Sequence, residues 1–140
     1  MNEALLLRMT GAAPVAALAG DRIGWFERER PGEVKAWSDV LPALVLGTVH
    51  MGRGWTHRGP TGFDTAIVDL EAYALDPDAA MALARAALTE MERVPYADVA
   101  GVRFHPGMLA AGIEDKSLVD GLEIYRVLRR VRFNHQPIVA

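Results

Sequence analysis

The chain has 140 residues, 51% of them hydrophobic and 24% charged, which is the size and make-up of one folded domain and excludes a disordered chain. A formal net charge of −3 argues against a dedicated nucleic-acid binder, which shows a basic excess, while leaving room for a local basic surface. With no cysteine, disulfides, cysteine zinc sites and cysteine nucleophiles are excluded.

Asn2 is placed to cap a short helix that starts at Glu3 and ends at Gly11. Pro14 suits the first turn of a second helix through Leu18, closed by Gly20-Asp21. This Ala-rich start is not expected to act as a signal peptide, because Glu3 is acidic, Arg8 interrupts it, and Gly11 and Pro14 break it. No run approaches the ~18 apolar residues that a membrane helix needs. Ile23, Trp25 and Phe26 form a small apolar patch, and residues 27–39 read as a charged surface loop.

Residues 43–49 are apolar and rich in β-formers, and predict a strand. A glycine-rich basic loop, 50–62, leads to a second strand, 63–73. There Ala66, Val68, Leu70 and Ala72 alternate with Thr65, Ile67, Asp69, Glu71 and Tyr73, the mark of a half-buried antiparallel strand. A central helix over 76–93 follows, with Asp76 as cap, Pro77 in the first turn and Pro95 as the stop. Val99–Phe104 and Met108–Glu114 predict two further strands, with a turn expected at 105–107 and another flanked by Asp115-Lys116-Ser117 and Asp120-Gly121. The last strand, 122–133, puts Arg126, Leu128, Arg130 and Arg132 on one face and Tyr125, Val127, Arg129, Val131 and Phe133 on the other. The expectation is an α+β fold: a mainly antiparallel sheet of four to five strands against the central helix (76–93) and the N-terminal helices, with a long β-hairpin loop (50–62).

The loop invites a phosphate-site reading, but its glycines run Gly52-x-Gly54-x4-Gly59-x2-Gly62 and a strand follows. A dinucleotide fingerprint needs G-x-G-x-x-G opening a helix, and a P-loop needs Gly-Lys-Ser/Thr. Neither is present, so no cofactor is expected. The histidines at 50, 57, 105 and 135 lack the spacing of helical metal ligands, so no metal is expected. Ser38 and Ser117 lie outside any Gly-x-Ser-x-Gly elbow, and Asp64, Asp69 and Glu71 read as the solvated face of a strand. No catalytic constellation emerges, and an enzyme is not expected.

Two features remain. The arginine face suits nucleic-acid phosphates, carboxylates of a neighbouring subunit, or plain solvent. The 50–62 loop exceeds an ordinary hairpin connection. Its Trp55, beside Arg53, His57 and Arg58, either anchors an interface or folds back onto the sheet.

Taken together, several segments resemble the tail-completion or tail-terminator proteins of long-tailed phages and gene transfer agents. They are Ala4-Leu5-Leu6-Leu7, Val15 to Ile23, Leu41 to Leu46, Thr56-His57-Arg58-Gly59-Pro60, Asp69 to Ala74, the helix with Ala79, Ala82 and Ala86, and Val131-Arg132-Phe133. The resemblance spans nearly the whole chain as one tail-terminator-like domain, 1–140. It departs at Arg58, where family members often carry Asp, and at 24–40, which is longer and more charged. It implies a structural protein, not an enzyme, that forms a homo-oligomeric ring, usually a hexamer. Such a ring ends the tail tube, joins it to the head connector or stopper, and passes DNA without reading its sequence. The implied location is the virion, at the head–tail interface, after assembly in the bacterial cytoplasm and with no membrane step. It also implies that Arg53, Trp55, His57, Arg58, Arg126, Arg130 and Arg132 are interface residues.

Overall fold

The computed structural model describes residues 1–31 and 35–138. In chain order its elements are α1 (Asn2–Gly11), α2 (Ala13–Ala19), β1 (Ile23–Trp25), α3 (Trp37–Val40), β2 (Ala43–Gly52), β3 (Trp55–Thr56), β4 (Gly59–Pro60), β5 (Asp64–Ala74), α4 (Pro77–Met91), β6 (Ala97–Val99), β7 (Val102–Phe104), β8 (Met108–Val119) and β9 (Leu122–Pro137). The α+β architecture expected from the sequence is the one observed. The main sheet, however, has seven strands instead of four or five, and β3 and β4 form a separate two-stranded ribbon.

The sheet runs β1-β2-β5-β9, and β9 then carries two neighbours along its far edge. β8 pairs with residues 122–132 of β9, and β7, with β6 beyond it, pairs with 135–137. All these pairings are antiparallel except β1 on β2. The strict alternation of β5 explains its central place, since every second side chain from Ala66 to Ala74 is buried. Leu44, Leu46, Val68, Leu70, Val127 and Val131 form the covered face, under α1, α2 and α4. A large apolar side chain fully buried there contributes about 1.5–3 kcal/mol.

α4 buries Ala80, Leu83, Ala84, Ala87 and Met91, a stripe at helical spacing, with Pro77 in its first turn. It ends at Met91, two residues short of the expected bound. Asp76 occupies the N-cap position, but its side chain makes no capping hydrogen bond. α1 likewise starts one residue earlier than expected, with Met1 in the cap position. Within the charged loop, residues 37–40 form a short helix whose Val40 joins Leu41, Ala43 and Ile124 in a second, smaller core on the other side of the sheet. The part of the loop expectation that falls on 32–34 lies outside the described residues.

Three strand expectations need correction. Ile23–Trp25 is a strand because it pairs in parallel with Leu44–Leu46, a partner 21 residues away. The single strand expected over 99–104 is a hairpin, turned at Ala100-Gly101, both at positive φ (49° and 79°). β8 continues through Asp115-Lys116-Ser117, where the edge of a turn was expected, as far as Val119. Its reversal comes at Asp120-Gly121, with φ of 52° and 78°, the two-residue hairpin turn that this dipeptide favours. Among the described residues no helix is long and apolar enough to cross a membrane.

Candidate functional site

The 50–62 segment is a structured arm. β2 and β5 stay paired out to Gly52 and Thr65, with an irregularity between Thr48 and His50. Past them the Gly54 N–H donates to Asp64 Oδ1 (3.1 Å), and the Thr61 N–H donates to the Gly54 carbonyl (2.8 Å). Gly54 has no substitute here, since a Cβ would collide with the Phe63 carbonyl oxygen and the Thr61 hydroxyl. Trp55 then pairs with Pro60 and Thr56 with Gly59, which closes the tip. The Arg58 N–H donates to Thr56 Oγ1 (3.2 Å) and stiffens the turn.

Trp55 does not fold back: it is 64% exposed. Its ring is covered only in part, by the Arg53 guanidinium at 5.4 Å from the centroid. His57 and Arg58 are exposed at the tip. At the arm's base, His50, Arg53, Thr65, Ile67 and Arg132 line an open groove of about 370 Å³. The fold therefore gathers Arg53, Trp55, His57 and Arg58 on one arm and sets Arg132 at its foot.

Arg126 and Arg130 share the face of Arg132 but are engaged within the chain. Arg130 donates to both oxygens of Asp69 (2.9 and 3.1 Å), its cross-strand neighbour. Arg126 grips Asp115 through Nε and Nη2 (2.9 and 2.7 Å) and Glu71 through Nη1 (2.9 Å). The hydrogen bond to Asp115 is the main reason that the Arg126 pKa is pushed up, and the same bond holds the Asp115 carboxyl below its usual range. Arg130 is raised for the corresponding reason, by Asp69. The strand carboxylates that read as a solvated face thus neutralise the arginine face. On the covered side Arg129 donates to Glu114 (2.7 Å). Among the described residues Arg132 forms no ion pair.

The sequence reading missed β8 as a surface. Eleven of its twelve residues are exposed, its outer edge is unpaired among the described residues, and Met108 (72%) and Leu118 (73%) stand out among its apolar side chains. Strands with a buried face announce themselves by alternation, and β8 has none to show. The available signal was Asp120-Gly121, whose hairpin turn requires a strand that reaches Val119. Phe26 is a second exposed apolar group, at a φ of 64° and 66% exposed. Its three-residue turn is closed by the Glu27 N–H on the Trp25 carbonyl (2.7 Å), a strained conformation for a bulky residue. Among the described residues no three His, Asp or Glu side chains gather as a metal ion would require.

No family model matches the sequence, and no curated protein matches it. Among solved structures, a chain in the virion of a native gene transfer agent particle has the same fold. The TM-score is 0.69 at 14% identity, over 97% of this chain and 94% of that one.

Proposed function

We propose that this chain is a structural component of a phage-type or gene-transfer-agent virion, and that its copies form a ring that ends the tail tube and joins it to the head connector. The observation that carries this reading is the fold shared, almost end to end, with a chain of a gene transfer agent virion. The surface is consistent with it. A stiff arm carries an exposed Trp–Arg pair, and a twelve-residue edge strand, paired on one side only, exposes apolar side chains; both are liabilities for a solitary protein. In an assembly both become contact area. The interface role of Arg53, Trp55, His57 and Arg58 belongs to this reading, with Arg132 at the arm's base. Arg126 and Arg130 serve it by holding the sheet in register. A head-side stopper is the second reading, since it would share the same virion setting.

The test is mass in solution, followed by mixing with tail-tube protein from the same gene cluster and imaging of tube ends. The expected result is a ring-sized oligomer, free or on tube ends, that caps tubes. A protein that stays monomeric and leaves tube ends bare refutes the proposal. Capture by the head connector, with tubes ignored, selects the stopper instead.

A further inference from the structure

The chain ends its long axis in two hairpins that point in opposite directions. One is the arm, whose residues 50–62 contain Arg53 and Arg58 and no carboxylate. The other is the β8–β9 turn. β5 stops at Ala74, opposite Tyr125, so the β8–β9 hairpin projects beyond the sheet's body. Its tip carries Asp120 and two exposed leucines, Leu118 on one face of the hairpin and Leu122 on the other, and the nearby Lys116 is tied to Glu123 (3.1 Å). Asp76 and Asp78, at the start of α4, and Asp21, before β1, lie at the same end of the sheet. All three are exposed, and among the described residues neither they nor Asp120 form an ion pair. One end of the molecule therefore presents Arg53, Arg58 and Trp55, and the other four aspartates outside ion pairs and two leucines, with Arg28 and Arg30 in a groove beside Lys116 and Arg28 stacked on Trp37 and Tyr73.

The two ends cannot satisfy each other within one chain. β5 alone separates them by about 33 Å at ~3.3 Å per residue, and each hairpin extends further outward. Duplex DNA is a poor match for the arm, because the acidic end and the net charge of −3 repel it. A second copy fits, since it brings an acidic, leucine-bearing tip to a basic, tryptophan-bearing arm. The contact joins two different patches, so it is head-to-tail, the kind that repeats around a ring when the rotation between copies closes.

We propose that the arm of each copy docks on the β8–β9 tip of the next, with Arg53 and Arg58 facing Asp120 and the neighbouring aspartates, and Trp55 lying against Leu122, which shares a hairpin face with Val119. This rests on the ring reading above and names its subunit contact. The experiment uses sedimentation of the full chain, with and without tail tubes, and two sets of variants. Arg53→Glu/Arg58→Glu replaces only exposed side chains, so folding, checked by circular dichroism, is expected to be unchanged, and self-association is expected to weaken at least tenfold. His57→Cys/Leu122→Cys, in a chain with no cysteine of its own, is expected to give a covalent ladder with a short bis-maleimide, while each single variant stops at dimers. Oligomers that survive the arginine reversal and give no ladder overturn the contact and leave the ring reading standing. A wild-type chain that is monomeric with and without tubes overturns both. Arginine reversal that abolishes duplex DNA binding with self-association intact overturns the contact in favour of nucleic acid.

Discussion

Replacing Glu90 by Ala is expected to destabilise the fold more than replacing its partner Arg8 by Met. Arg8 sits in the last turn of α1 and is 3% exposed. Its Nε donates to Glu90 Oε1 (3.2 Å) and its Nη2 to the Glu90 carbonyl, while its guanidinium stacks 5.2 Å from the Phe104 centroid. Among the described residues Nη1 has no hydrogen-bond partner, and burial pushes the Arg8 pKa down. Glu90→Ala strands a charged guanidinium among apolar groups, and losing one member of a buried pair costs about 3–5 kcal/mol. Arg8 keeps the backbone carbonyl and the Phe104 face, so the lower end, about 3 kcal/mol, is expected. Arg8→Met removes the buried charge itself. Glu90 then turns to Arg93, already 3.6 Å away, or to solvent, and the cost falls to about 1–2 kcal/mol. The double variant should be no less stable than Arg8→Met, a coupling of about 3 kcal/mol between the sites. Urea unfolding reads this directly, as shifts in midpoint at constant slope. The reasoning is refuted if Glu90→Ala costs under about 1 kcal/mol, or if Arg8→Met is the more damaging single change.

Gly54→Ala should cost the arm its neck. The added methyl displaces residues 61–63 and breaks the bonds to Asp64 and Thr61, worth about 1–3 kcal/mol locally. Hydrogen exchange should speed up at residues 52–63 and nowhere in α4, and uniform exchange would count against it. Trp55→Ala should move the unfolding free energy by under about 0.5 kcal/mol, because the ring is mostly in water, yet weaken self-association at least about tenfold. A large stability loss with association intact would make Trp55 structural. His135 is 7% exposed, its Nε2 without a partner among the described residues, and burial pushes its pKa below the ordinary 6.5. As the pH falls through 6.5 the unfolded chain takes up the proton first, so stability falls between that value and the lower folded one. The slope is at most about 1.4 kcal/mol per pH unit for one proton. His135→Phe should flatten the stability profile over that window, and identical slopes in the two proteins would exclude His135 as the cause.

What was legible in the sequence was whatever carries a burial pattern of its own. β5 alternates because one face lies under α4, and α4 repeats Leu83, Ala84, Ala87 and Met91 because one stripe meets the sheet. β8 has no buried face, so its residues keep no period, and its polar run Asp115-Lys116-Ser117 reads as the edge of a turn although it is strand. β1 and the β6–β7 hairpin are too short to show a pattern; they are strands because of partners, and Ala100 at positive φ is not a composition that signals a turn. The candidate site divides in the same way. Arg53, Trp55, His57 and Arg58 lie close together in the chain, so their grouping on one arm could be read from it. The engagement of Arg130 by Asp69, 61 residues away, depends on the β5–β9 register, which local pattern does not encode. An arginine face read from one strand alone therefore overstates the free positive charge, because each antiparallel neighbour can supply the carboxylate opposite. Arg132 stands apart for this reason: the β5 residue across from it is Ile67, which offers no carboxylate, so its charge stays available beside the arm.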